Sequence, residues 1–309
     1  MPKVTKIVFI LLIITFGLIF YVRFEDGRLE VKIESKNSVV KESKKENLQI
    51  TFFDIGQGDA SFIEFPTGEQ MLVDCAVDSR ILSALGRVME FYDRDLDYLV
   101  VTHPDSDHYG GCEDVLRRFQ VKNIIYNDVK KFGDSVWESF WRTVQAEDAV
   151  YYPVNQPAVW EVGSSTIHYL YPDHSVVSST AFVHGQKELG DNNASIVFRL
   201  DYAGSSVLFT GDMENELEQY LINKKREQLK SDILKVGHHG SAGASGKLFL
   251  EAIKPEYAVI SVGADNSYGH PSLRVLRRLE RAGAKGLRTD EMGDISFQIS
   301  NEAVSLKNK

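Results

Sequence analysis

From Leu48 onward the chain alternates between two hydrophobic rhythms, one of period two or short unbroken apolar runs, the other of helical spacing. LQITFFDI, ASFIEF and QMLVD read as strands, the last two joined by the turn Pro66 to Glu69 as a hairpin. A helix is predicted near Ser79 to Phe91, then a strand over Leu96 to Val101 and a helix near Glu113 to Phe119. Lys122 to Tyr126 and Val150 to Tyr152 read as short strands. Between them Trp137, Phe140, Trp141 and Val144 recur at helical spacing, the mark of a core face on a helix over Asp134 to Ala146. A strand follows at Ser165 to Tyr171. The polar stretch Pro172 to Asn192, with His174 and His184, reads as a loop. Beyond it come strands Ala194 to Leu200 and Ser206 to Thr210, helix Met213 to Asn223, strand Asp232 to Val236, helix Lys247 to Ile253 and strand Tyr257 to Val262. Helix Leu273 to Ala282 and strands Ala284 to Arg288 and Ile295 to Ile299 complete the pattern. Two strand-rich halves that both carry helices predict an α/β (α+β) domain over residues 48–309, a four-layer αββα sandwich with ligand loops along one edge.

The N-terminus follows neither rhythm. Ile7 to Val22 is sixteen uncharged, almost wholly apolar residues, preceded by Lys3 and Lys6 and closed by Arg23. As a helix it would extend roughly 24 Å, close to a bilayer core once Tyr21, Arg23 and Lys6 anchor its ends. VRFEDGRLEV offers no small-x-small cleavage site, so residues 1–23 are expected to form an uncleaved signal anchor or transmembrane helix. The lysines would keep the N-terminus cytoplasmic and the globular domain outside. Residues 24–47 are charged and poor in large apolar clusters, a solvated tether.

Composition narrows the function classes. A net charge of −9 argues against a protein that grips nucleic acid through a broad basic surface. Cys75 and Cys112 are the only cysteines, which excludes a disulfide framework; oxidation of the pair outside the cytoplasm and two separate buried thiols both remain open.

The candidate chemistry begins at THPDSDHYGG, Thr102 to Gly111, directly after an apolar strand. Alternate residues of an extended segment point one way, so His103, Asp105 and Asp107 face one cavity and His108 adds a neighbouring direction. Donors so crowded repel or desolvate one another unless a cation neutralises them. Three later loops also follow apolar runs: TGDM with Asp212, KVGHHGS with His238 and His239, and SYGHP with His270. A carboxylate bridging two cations with imidazoles around them is what a two-metal hydrolytic centre requires, and Asp212 is the bridging candidate. Asp212 also reads as the N-cap of the helix after it, a role that does not exclude bridging, and the lesser readings are polar loop residues for His238 and His239 and a helix entry for His270.

FFDIGQGDASFIEF, LVDCA, THPDSDHYGG, TGD, LKVGHHGS, SYGHPS and TDEMGDI, in that order over about residues 50 to 300, resemble the metallo-β-lactamase-fold hydrolase domain of the ComEC competence family. A similar arrangement occurs in bacterial phosphorylcholine esterases of the same superfamily. The resemblance implies that His103 and Asp105 hold one divalent ion, that Asp107, His108 and His270 hold another, and that Asp212 bridges them. His239, with His238 beside it, would then reach the substrate phosphate or complete a site, and Asp107, His239 and His238 carry the catalysis. Asp54, Asp59 and Asp74 match as groups that orient loops or histidine N–H groups. The chain departs from the superfamily pattern at Asp105, where histidine is more usual, and at Asn192 and Asn193, near which another histidine is expected. The oxygen-rich first position that results favours Mn²⁺ or a loosely held Zn²⁺.

The function these residues imply is metal-assisted phosphoester hydrolysis outside the cytoplasm through two divalent ions, Zn or Mn. The substrate would be single-stranded DNA or a small or surface-attached phosphodiester, with the membrane contacted through the N-terminal helix. The alternative is a catalytically silent binding or scaffold protein of the cell envelope that retains the fold.

Overall fold

A computed structural model of the chain describes residues 47–177 and 191–307 in full, and residues 9–15, 18–25 and 28–35 by their backbone. Two units divide it, Met1–Lys44 and Lys45–Lys309. In the first, Phe9–Thr15, Leu18–Glu25 and Arg28–Ser35 are strands of one antiparallel sheet, with Phe9 opposite Phe24 and Leu18 opposite Ser35. At the described residues 9–15 and 18–25 this corrects the membrane helix expected within residues 1–23. The run is dominated by isoleucine, phenylalanine, valine and leucine, and β-branched and aromatic side chains suit extended backbone. Asp26-Gly27, between the second and third strands, is a strong hairpin signal. Among the described residues no helix is long and apolar enough to cross a membrane. Most of the expected tether, residues 36–46, lies outside the described residues, as does 178–190 of the predicted polar loop with His184.

The second unit holds two sheets. One runs, in spatial order, Val304–Lys307, Ile295–Ile299, Leu48–Phe52, Ser61–Glu64, Gln70–Val73, Asp95–Val100, Gln120–Tyr126 and Val150–Pro153. The other runs Ala158–Val162, Ser165–Tyr171, Val197–Tyr202, Ser205–Phe209, Ile233–Lys235, Tyr257–Ile260 and Lys285–Arg288. Each starts antiparallel and becomes parallel, from Gln70–Val73 in the first and from Ser205–Phe209 in the second. Parallel neighbours need crossovers long enough to hold helices. Arg80–Leu85, Cys112–Arg118 and Ser135–Ala146 serve the first sheet, Asn215–Lys225, Lys247–Ile253 and Leu273–Arg281 the second.

Strand alternation sorts the apolar side chains into layers. Ile50, Phe52, Ile63 and Val73 of one sheet pack with Ile167, Phe198, Phe209 and Ile233 of the other. Phe62, Leu72 and Leu99 turn outward onto Ile81, Val115, Trp137 and Phe140 of the helices. Val197, Leu208, Leu234 and Ile260 do the same toward Leu217, Phe249 and Leu279. The expected αββα sandwich is therefore present.

Local differences have local causes. The first helix ends at Leu85: Gly86 caps it, Arg87 and Val88 close with tight bonds to the carbonyls three residues back, and Phe91, 87% exposed, has no core to face. Ala158–Val162 and Val304–Lys307 were not expected as strands; both are sheet edges with only one half-buried face, which leaves a weak apolar signal. What positions chemistry is the set of loops at the carboxyl ends of the parallel strands, where α/β sheets gather ligands.

Candidate metal centre

Asp74 follows strand Gln70–Val73 in a left-handed conformation, φ 60°, that turns its carboxylate toward the next strand. There it accepts Thr102 N–H at 2.8 Å, Thr102 Oγ1–H at 2.8 Å and His108 Nδ1–H at 2.8 Å. A carboxylate only accepts here, so the His108 proton sits on Nδ1 and the Nε2 lone pair is free. Thr102 Oγ1, its hydrogen given to Asp74, accepts from His103 Nδ1 at 3.1 Å. The carbonyl of Ser261 accepts from His239 Nδ1 at 3.0 Å. Three imidazoles are thus set in one tautomer by partners behind them, the arrangement that orients metal-ligating histidines.

Their free nitrogens converge. His108 Nε2 lies 3.3 Å from Asp212 Oδ1, and His239 Nε2 lies 3.3 Å from Asp212 Oδ2 and 3.2 Å from Asp107 Oδ2. Asp107 and His108 come from the first sheet, Asp212 and His239 from the second. His238 and His239 adopt left-handed backbone, φ 45° and 49°, between Gly237 and Gly240, and this tight turn drives the His239 ring inward. On the opposite side Gly58 admits the metal loop: a Cβ there would lie 2.4 Å from the Asp107 carbonyl, which accepts Asp59 N–H at 3.1 Å.

Nε2 of His103, His108 and His239 and Oδ1 of Asp212 are buried without a hydrogen-bond partner among the described residues. Lone pairs facing a carboxylate with no donor between them are costly unless a cation joins them. Ligand atoms of His103, His108 and Asp212, of Asp107, His108 and His239, and of Asp59, Asp212 and His239 each lie within 4.8 Å of one another. The residues therefore fit a divalent ion.

The electrostatics agree. Burial opposes charge on His239, yet Asp212 and Asp107 raise its pKa to about 10. Burial likewise works against His108, and Asp212 and Asp74 push it well above the usual range. Burial also disfavours charge on Asp107, but His239 and His108 hold its carboxyl down at about 2. The carboxylates thus demand positive charge, which protons on Nε2 or a cation supply, and the two compete for the same lone pairs. Lys235 Nζ answers Asp59 at 2.6 Å, deep in the interior.

The predicted residues fall into place unevenly. His239, expected to reach the substrate or to complete a site, stands with Asp107 and Asp212. His270 instead sits at the rim, its ring 5.5 Å from His238 and stacked 5.9 Å from exposed Tyr268. Burial and the neighbouring His238 and His239 lower its pKa. His238 Nδ1 donates to Glu214 at 2.9 Å, and its Nε2 is 4.0 Å from Asp212. Asp105 Oδ2 approaches His103 Nε2 at 3.3 Å, while its other oxygen pairs with Lys131. Asn193 Oδ1 accepts Glu214 N–H at 2.9 Å, Asp74 accepts the His108 Nδ1 proton at 2.8 Å, and Asp59 Oδ1 lies 3.6 Å from His239 Nδ1. Asp54 is not brought to the centre: it is exposed, accepts Gly56 N–H at 3.3 Å and gives its own N–H to Asp294. Asp212 is not an N-cap, since the helix starts at Asn215 and is entered through Glu214. Glu214, Lys235 and Lys131 escaped sequence reasoning. Lys235 left a signal, a charge inside an otherwise apolar strand; Lys131, in an unassigned loop, left none.

Residues 53–264 match the model of the metallo-beta-lactamase superfamily. The chain is 31% identical over 271 residues to ComE operon protein 3 of Bacillus subtilis, covering 82% of this chain and 33% of that protein. It is 31% identical over 259 residues to Competence protein ComA of Neisseria gonorrhoeae, covering 82% and 33%. With Recombination protein 2 of Haemophilus influenzae it shares 29% over 272 residues, 86% of this chain and 31% of that one. The chain spans about a third of the length of these relatives. Among solved structures, CmlA, a diiron beta-hydroxylase from Streptomyces venezuelae, superposes with a TM-score of 0.50 at 13% identity, covering 86% of this chain and 55% of that one, a likeness of fold alone.

Proposed function

Because the chain belongs to the metallo-β-lactamase superfamily, we propose that it is a metal-dependent hydrolase of phosphodiesters that acts outside the cytoplasm. The observation that carries this reading is the convergence of buried His103, His108 and His239, each with a bare Nε2, on Asp212 and Asp107. Asp107, His108, Asp212 and His239 would hold a divalent ion, which would supply Lewis acidity toward a phosphoryl oxygen. Asp74, Thr102 and Ser261 hold the rings in the tautomer that leaves Nε2 available. His238, steadied by Glu214 and partly exposed, is within reach of a substrate oxygen at the rim.

The competence and recombination descriptions of the relatives support a DNA strand as substrate, and exposed Tyr268 offers a ring on which a base can stack. The net charge of −9 supports a small diester instead. Salt separates the two, because cleavage of DNA held through phosphates falls steeply with ionic strength. The Cys75–Cys112 disulfide supports an oxidising compartment. The test is Asp107→Ala, assayed with Mn²⁺ or Zn²⁺ on a single-stranded oligonucleotide and on a small chromogenic diester. Turnover of whichever is cleaved should fall at least about 100-fold; undiminished turnover refutes the role.

A further inference from the structure

We infer that Lys131 takes the place of one of the two cations, so that the centre holds a single divalent ion, ringed by Asp107, His108, Asp212 and His239. The inference rests on the metal reading of the site and is independent of which bond is hydrolysed.

Lys131 Nζ pairs with Asp105 Oδ1 and lies 3.3 Å from Asp191 Oδ2. Asp105 leads into the metal loop, and Asp191 opens the turn Asp191–Ala194 that contains Asn192 and Asn193. These two segments are the ones from which the resemblance would draw ligands for a first ion. In this chain an ammonium group joins them.

On that side Asn193 Oδ1 is taken by Glu214 N–H at 2.9 Å. Among the described residues, no set of converging ligand atoms includes Asp105. Its second oxygen lies 3.3 Å from His103 Nε2, so a divalent ion between them would sit against the Lys131 charge. Like charges so close repel, and the ammonium already neutralises Asp105. The other position has no such competitor: Lys235, the nearby buried cation, is paired with Asp59 at 2.6 Å. Lys131 thus supplies, covalently fixed, the positive charge that a first metal would bring.

The full chain, stripped with chelator, loaded with MnCl₂ and dialysed, should retain one equivalent by elemental analysis and give the spectrum of an isolated Mn²⁺ by electron paramagnetic resonance. Lys131→Met should raise the count to two equivalents, with a spin-coupled spectrum, whereas Lys131→Arg should stay at one. Two equivalents, or none, in the unmodified chain overturns the inference, and that count decides it whether or not a variant folds. A folded Lys131→Met that still retains one equivalent overturns it as well. One equivalent bound to a chain that cleaves no phosphodiester upholds this inference while removing the substrate reading.

Discussion

His239 and His270 are both polar interruptions after apolar strands, yet their surroundings differ in the one respect that matters for a ligand. His239 is buried, its Nδ1 proton is fixed on the Ser261 carbonyl, and its Nε2 faces two carboxylates. His270 is half-exposed and finds ring neighbours, His238 and Tyr268, in place of carboxylates. His239→Ala should therefore weaken Mn²⁺ binding by roughly 100-fold or more, and His270→Ala by no more than a few-fold, read by calorimetric titration. Equal losses at the two positions would contradict the assignment. The chain order of the motifs placed both histidines near the centre. It could not rank them, because the left-handed turn at His238 and His239 that aims one ring inward is a backbone property with no letter in the sequence.

At the scale of elements, the metal loop is clamped at both ends. Cys75 follows Asp74 directly, its N–H bonds the His108 carbonyl at 2.7 Å, and its sulfur is joined to Cys112 at the start of helix Cys112–Arg118. The bridge closes a sequence separation of 37 residues, for which loop closure predicts about 4 kcal/mol of stability. Replacing both cysteines by serine, or reducing the pair, should lower urea stability by about that amount. An unchanged unfolding midpoint in reductant would show that the bridge contributes nothing. The sequence offered two cysteines beside two motif loops and left their pairing open. Whether they bond depends on a Cα separation of 5.1 Å, which strands Gln70–Val73 and Asp95–Val100 create by lying parallel and adjacent.

Across the whole molecule, the centre exists only because two sheets face each other. Asp107 and His108 leave one sheet, Asp212 and His239 the other, and the layer between holds them in register. Phe198 stacks on Phe209 at 4.6 Å, and Phe209 stacks on Phe52 of the opposing sheet at 5.8 Å. Phe198→Ala should cost about 3 to 5 kcal/mol through the cavity it opens. It should also weaken Mn²⁺ binding, because the halves of the site lose their common support. Thermal unfolding with and without Mn²⁺ reads both effects, and a destabilised protein with unaltered metal affinity would show that each half is positioned by its own sheet alone.

The chain's hydrophobic rhythm determined the αββα sandwich, since strands buried on both faces and helices with one apolar stripe have few ways to hide those faces together. The order of the motifs likewise determined which loops carry donors. Near the N-terminus the same reasoning failed: an unbroken apolar run has no period to separate helix from strand, and the described backbone at residues 9–15 and 18–25 is extended. Tertiary structure alone decided the meeting of His239 with Asp107, the bonding of Cys75 to Cys112 and the meeting of Lys131 with Asp105 and Asp191. Each of these is a contact between residues distant in the chain, and their separation is set by how the sheets cross over and pack, whereas local pattern fixes only what each segment becomes.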